Sequence, residues 1–303
     1  MTSDRPDSCA ETRWLFQGRQ LRVGSWDCRI RTRELTSERS LEWFQIGFLD
    51  RGAFQLHSAG KAGLVDRSGA LIHPPGTGFR TSHPFGRGDA GTFLALPPEA
   101  FESDGGDFEV PRELFREPFR IAHGISTSHS YLRLRLLVER FRIDGNPESL
   151  ELEEAAISLF RTILASSESS TFPRKAMPRA RARRYETVEK AKAVLAAGFR
   201  RPQRLEKVAD AVGVSSFHLC RTFREETGIS LHEYVDRLRL RFAIPAVIRG
   251  EDLAQVALNS GFSSHSRFSL QFRRQFGVPP AVAREMFGGR RSQGVLPPPD
   301  AAE

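Results

Sequence analysis

The chain has 303 residues, with 45 Lys+Arg against 37 Asp+Glu, a formal net charge of +8 and a pI near 10.0. That length favours two domains, each able to bury its own core, and no segment approaches the apolar length needed to span a bilayer. Cys9, Cys28 and Cys220 are odd in number and lack metal-ligand spacing, which argues against a disulfide framework or zinc site and for a reducing compartment.

The charge is unevenly placed. Residues 1–172 hold 21 basic and 24 acidic side chains, a net of −3, whereas residues 173–303 hold 24 and 13, a net of +11. A basic C-terminal part suits a polyanion such as DNA, although charge alone also fits a solvated surface.

Residues 1–12 are polar and read as a flexible arm. Met1 to Arg22 contains no apolar h-region, so a soluble, cytoplasmic protein is expected. From Trp14 to about Leu96 the chain breaks into short apolar or alternating runs: Trp43 to Leu49, Ala53 to His57, Ala70 to His73 and Thr92 to Leu96. Gly- and Pro-rich punctuation separates them, which predicts an antiparallel β domain, sandwich or barrel.

Two helices are predicted next, about Ser130 to Phe141 and Pro147 to Leu164. Tyr131, Leu134, Leu137, Val138 and Phe141 stripe the first; Leu152, Ala155, Ala156, Leu159, Phe160 and Ile163 stripe the second. Each must bury one face, against its own sheet or a second protomer. Ser166 to Pro178 is Ser/Pro-rich and reads as a linker, which runs into the basic cluster Arg179, Arg181, Arg183 and Arg184 ahead of a helix near Tyr185 to Ala197. Those arginines are placed to touch phosphate or to solubilise the hinge.

The stretch from Leu205 to Gly277 contains one pattern twice. Leu205, Val208, Ala209, Gly213 and Ser215 recur 48 positions later as Leu253, Val256, Ala257, Gly261 and Ser263. Each copy continues into an apolar pair, Leu219/Phe223 or Phe268/Phe272, and closes on Gly228 or Gly277, with one extra residue in the second copy. Apolar residues at i, i+3 and i+4, a turn glycine and a capping serine spell helix-turn-helix.

The run Gly213 to Phe223 with Gly228, the linker Tyr234, Leu238, Arg239, Leu240 and Ala243, and Gly261-Phe262 through Phe268, Phe272, Gly277, Pro280 and Arg284 resemble the DNA-binding domain of AraC-type transcription regulators. The resemblance covers roughly residues 185–287. Two departures are Ala283, where the family commonly has an aromatic residue, and Pro245 inside the linker helix.

Helical geometry places Phe217, Arg221 and Arg224 opposite Leu219 and Phe223, with Cys220 at the edge of that face. Arg221 suits guanine O6 and N7, Phe217 a thymine methyl, and Arg224 a phosphate. The resemblance also implies base-facing roles for Phe217, Cys220 and Arg221. In the second unit Ser266, Leu270 and Arg273 face outward, flanked by Arg267 and Arg274; the resemblance implies base-facing positions at His265, Ser266, Arg267 and Leu270. Arg273 and Arg274 are expected to position phosphates. Two units reading one face of B-DNA sit about 34 Å apart. Pro245 removes a helix hydrogen bond, which predicts a kink or early end of the linker helix near Arg241 and makes half-site spacing sensitive to Pro245→Ala.

The resemblance further implies that the N-terminal part is a cupin-like barrel that senses a ligand, that its helices pair two protomers as a homodimer, and that the protein activates transcription at promoter DNA with RNA polymerase as a partner. The passage Ile72 to Gly76 through Ser82-His83-Pro84 resembles such a domain. Its apolar interior fits a small-molecule effector or simple core filling. The expected fold is therefore α+β in two domains: a cupin-like antiparallel β domain with amphipathic helices at 13–165, a linker at 166–184, an all-α double helix-turn-helix at 185–287, and a disordered tail at 288–303.

An enzyme is the alternative class. His57, His73 and His83 suggest a metal-dependent cupin, but the His-x-His pair usual in catalytic cupins is missing, so these read as turn or surface histidines. A DNA-repair alkyl acceptor needs more cysteines than this chain has. No catalytic residue, metal ligand or cofactor is expected. The remaining alternative, a basic module binding an acidic protein, differs by lacking a sequence preference.

Overall fold

The computed structural model describes residues 10–18, 20–30, 33–97, 119–122, 125–144, 150–166 and 178–288. They fall into two compact units, one within Met1–Phe172 and one within Pro173–Arg291. The predicted tail beyond Gly288 and most of the predicted linker lie outside the described residues.

The first unit contains nine described strands: β1 (Ala10–Gln17), β2 (Arg22–Cys28), β3 (Phe44–Arg51), β4 (Phe54–Ser58), β5 (Lys61–Val65), β6 (Ala70–His73), β7 (Arg80–Ser82), β8 (Ala90–Leu96) and β9 (Arg120–Ala122). They form a six-stranded sheet in the order β1-β2-β8-β3-β6-β9 and a three-stranded sheet in the order β5-β4-β7. All pairings are antiparallel. The expected antiparallel domain is present; its strands form two open sheets, and no ladder among the described residues closes a barrel. The arm expected over residues 1–12 does not include Ala10, Glu11 and Thr12, which pair with Cys28, Asp27 and Trp26 in β1, and its remaining residues lie outside the described ones.

Helices α1 (Ile125–Asp144) and α2 (Leu150–Ser166) follow. Their apolar stripes are used inside the unit. Phe141 stacks on Phe16 with ring centroids 4.5 Å apart, Phe160 meets Phe44 at 5.7 Å and Tyr131 meets Phe48 at 5.6 Å. A partly buried polar cluster adds direction to this packing: Tyr131 Oη donates to Asp50 Oδ1 at 2.7 Å, and Arg135 Nη1 and Thr92 Oγ1 donate to Asp50 Oδ2.

The second unit is all-helical: α3 (Arg179–Gly198), α4 (Leu205–Val212), α5 (Ser216–Thr227), α6 (Leu231–Ile248), α7 (Leu253–Asn259), α8 (His265–Phe276) and α9 (Pro280–Gly288). Val188, Ala191 and Leu195 of α3 pack with Val208, Ala209, Leu219, Phe223, Tyr234 and Leu238 in one core. Farther along α6, Leu240, Ala243, Ile244 and Val247 are buried where α7, α8 and α9 pack on the helix.

Two expectations are corrected here. The basic cluster does not precede its helix: Arg179, Arg181, Arg183 and Arg184 form the first turns of α3. And α6 does not end early near Arg241, one of the two outcomes expected of Pro245. It runs through Pro245 to Ile248, because the face made by Leu240, Ala243, Ile244 and Val247, each about 1% exposed, gains more from burial than the missing amide costs, roughly 3 kcal/mol in a helix interior.

Candidate nucleic-acid interface

The two helix-turn-helix units are α4-turn-α5 and α7-turn-α8. In the first, α4 ends on Gly213, whose φ of +74° is left-handed. Such a conformation costs other residues about 1–2 kcal/mol. Ser215 then caps α5 by accepting from the His218 amide at 3.2 Å, as its position predicts.

In the second unit the cap is Ser264, not Ser263: Ser264 Oγ accepts from the Arg267 amide at 3.2 Å. The extra residue of the second copy therefore lies in the turn between Gly261 and Ser264, and beyond it the repeat offset becomes 49, as in Leu219 to Phe268 and Gly228 to Gly277. Structurally, Phe217 corresponds to Ser266, Arg221 to Leu270 and Arg224 to Arg273.

Each second helix is held by buried anchors and offers a solvated face. Leu219 and Phe223 are fully buried, with Phe223 edge-on to Tyr234 at 5.5 Å. Phe268 and Phe272 are likewise buried in a ladder of rings from Phe262 to Phe276. On the opposite faces Phe217 is 79% exposed and Leu270 66%. Cys220, Arg221 and Arg224 on α5, and His265, Ser266, Arg273 and Arg274 on α8, are exposed with them. Large apolar side chains left in water on an otherwise charged face mark a recognition surface.

The arginines differ in their surroundings. Arg221 Nε donates to Glu225 Oε1 at 2.7 Å across one turn of α5, and that bond holds the Glu225 carboxyl below the usual carboxylate range. Arg267 is half-buried. It reaches back to the linker helix, where Nη2 donates to His232 Nε2 and lies 3.6 Å from Asp236 Oδ2. Asp236 is buried and also approaches Arg239, so one carboxylate in α6 orients a recognition-helix cation. Arg184 and Arg181 in α3 lie 3.3 and 3.9 Å from Glu226, which draws part of the basic cluster onto α5.

Sequence reasoning missed Asp236, and it placed Arg239 in the linker pattern without giving it a role. Their signal was weak, since a charged pair three apart on a linker helix reads as an exposed face.

The first unit holds a separate candidate site, a cavity of about 160 Å³ between its sheets. Trp26, Phe54, Phe79 and Phe93 supply much of its wall, with His73 and His83. Both histidines are buried, at 1% exposure each, which corrects their reading as surface residues, while His83 does open a turn, its carbonyl accepting from the Gly86 amide at 2.9 Å. His57 is half-buried and pairs with Ser82 Oγ at 3.2 Å.

Comparison with known proteins agrees with the geometry of the second unit. A family model described as a helix-turn-helix domain matches residues 208–286. The chain is 36% identical over 97 residues to the multiple antibiotic resistance protein MarA of Salmonella typhimurium, covering 32% of this chain and 76% of that protein. It is 32% identical over 133 residues to the HTH-type transcriptional activator RhaR of Klebsiella pneumoniae, a match spanning 44% of each chain. The crystal structure of a regulator from Chromobacterium violaceum, with an AraC-type DNA-binding domain, aligns at a TM-score of 0.32 and 27% identity over 35% of this chain and 96% of that one.

The chain belongs to the AraC-type helix-turn-helix family of transcription regulators. Among the described residues no helix is long and apolar enough to cross a membrane.

Proposed function

We propose that the protein is a sequence-specific regulator of transcription that binds promoter DNA through α5 and α8, each laid in the major groove. The observation that carries this reading is the shared solvent face of Phe217 and Arg221 on α5 and of Ser266 and Leu270 on α8, in a part of the chain with a net charge of +11. Phe217, Cys220 and Arg221 face bases in one segment; His265, Ser266 and Leu270 face bases in the next, where Arg267 joins them only by leaving His232 and Asp236. Arg224, Arg273 and Arg274 set the register on phosphates. Leu270 stands where the first unit has Arg221, so the second segment is read by apolar contact with thymine methyls more than by hydrogen bonds.

By resemblance to its family the protein acts as an activator, as a homodimer in the cytoplasm, with RNA polymerase as a partner, and the first unit senses an effector. It is not an enzyme in this reading. The test is binding to duplex DNA across a salt series: specific binding weakens steeply through counterion release and keeps its sequence preference. Binding without any preference at every salt concentration would refute it.

A further inference from the structure

Three side chains of different donor chemistry converge in the first unit. Cys28 ends β2, Asp89 immediately precedes β8, and His83 immediately follows β7 in the other sheet. Their exposures are 4%, 3% and 1%. His83 Nε2 lies 2.6 Å from Asp89 Oδ2 and 3.7 Å from Cys28 Sγ, and all three donor atoms lie within 4.8 Å of one another. All three residues line the cavity.

The backbone is built for this approach. The Cys28 amide donates to the Asp89 carbonyl at 2.7 Å. A Cβ on Gly88 would fall 1.8 Å from the Cys28 carbonyl oxygen, so only glycine lets the segment before β8 lie against the end of β2. Trp26 Nε1 donates to Asp89 Oδ1 at 2.5 Å, which fixes the carboxylate and leaves Oδ2 turned to His83. That is the outer support a ligating carboxylate ordinarily has.

Both Sγ and Oδ2 address the same imidazole nitrogen. A proton there makes a linear bond to one of them, and at 2.6 Å it serves Asp89. A small dication serves all three. With metal–ligand distances of about 2.0–2.3 Å, tetrahedral placement needs N···O and S···N separations of roughly 3.3 and 3.5 Å. The S···N spacing is already close to this. The N···O spacing opens by under an ångström as the proton leaves.

We propose that Cys28, His83 and Asp89 bind one divalent transition-metal ion of the zinc class, bridging the two sheets and leaving its fourth position toward the cavity. Thiolate, neutral imidazole and carboxylate together carry two negative charges, which a dication neutralises in a buried place. Thiolate and imidazole select zinc-like ions over magnesium or calcium. On the cavity wall His73 keeps a buried Nε2 without a hydrogen-bond partner among the described residues, since its Nδ1 donates to the Pro74 carbonyl at 2.9 Å. That lone pair is suited to accept from a water in the cavity.

The experiment is a Co²⁺ titration of the purified, metal-stripped full-length chain, followed by absorption. The expected result is one equivalent bound, with a thiolate-to-cobalt charge-transfer band that Zn²⁺ abolishes. Cys28→Ser removes that band, His83→Gln and Asp89→Asn weaken binding at least tenfold, and Cys9→Ser and Cys220→Ser leave it unchanged. A missing thiolate band, or one that persists in Cys28→Ser, overturns the proposal. Should Cys28→Ser fail to fold, a chain with both Cys9→Ser and Cys220→Ser retains Cys28 as its sole thiol. Zn²⁺ is then expected to slow its labelling by a thiol reagent at least tenfold, and equal rates with and without Zn²⁺ also overturn the proposal.

Discussion

Arg239 Nε donates to the Phe199 carbonyl oxygen at 2.7 Å, joining the middle of the linker helix to the residue that follows α3. The same guanidinium lies 5.9 Å from the Phe262 ring of the second turn, and Arg200 Nε donates to the Asn259 carbonyl at 3.2 Å. The loop after α3 therefore braces the second helix-turn-helix unit against the first, in addition to the continuous helix α6. Arg239→Met keeps the stem and deletes the donors. It is expected to destabilise the helical unit by about 1 kcal/mol, read as an earlier loss of helical circular dichroism in urea. An unchanged urea midpoint would remove Arg239 from this role.

Gly213 and Gly261 occupy matching turns but are not equivalent. Both are left-handed, at φ of +74° and +92°. A Cβ at Gly213 would meet open space, whereas one at Gly261 would lie 2.6 Å from the Arg200 carbonyl oxygen. Gly213→Ala is expected to cost about 1 kcal/mol, the conformational term alone. Gly261→Ala adds a clash with the brace and is expected to cost at least twice that. Equal losses by urea unfolding would show that the Arg200 contact is easily relaxed.

Arg221 and Arg273 make a paired test of the interface. Arg221→Ala is expected to weaken binding to the preferred site on the order of tenfold to a hundredfold and to relax preference at one base pair, while Arg273→Ala weakens all sequences alike and flattens the salt slope. Quantitative binding to a panel of single-base variants distinguishes these outcomes. A uniform loss for Arg221→Ala would make it a phosphate contact.

Burial pushes the His73 imidazole down to about 4, with Arg39 adding to the effect against the Pro74 hydrogen bond. Because this value lies below the ordinary 6.5, the unfolded chain takes up the proton first. The stability that neutral His73 contributes is complete above about pH 6.5 and is lost as pH falls toward 4, on the order of 3 kcal/mol in all. Trp14, Trp26 and Trp43 all belong to the first unit, so tryptophan fluorescence in urea reports it selectively. His73→Gln is expected to flatten the pH dependence of the midpoint between pH 6.5 and 4. Parallel curves for the two proteins would contradict the assignment.

What the sequence made legible follows from range. The doubled motif was readable because its anchors recur at helical spacing, and Leu219, Phe223, Phe268 and Phe272 are all buried where the periodicity put them. The exposed faces followed from the same arithmetic. The cap of α8 was misread by one residue because a repeat offset of 48 was extended through a turn that holds an extra residue. Pro245 was given its cost without the burial that outweighs it. The Cys28, His83 and Asp89 cluster was invisible for a different reason. Cys28 and His83 are 55 residues apart; the pairing of β2 with β8 and the glycine at 88 bring Cys28 to Asp89, and the end of β7 in the other sheet supplies His83.

The central claim is that α5 and α8 read two adjacent DNA segments. Selection of the full-length protein on random duplex DNA near physiological salt tests it most directly, with Arg221→Ala run in parallel. The expected result is a site containing two preferred segments about 34 Å apart, one helical turn, with preference relaxed in only one segment for the variant. Failure of the wild-type chain to enrich any sequence would contradict the account.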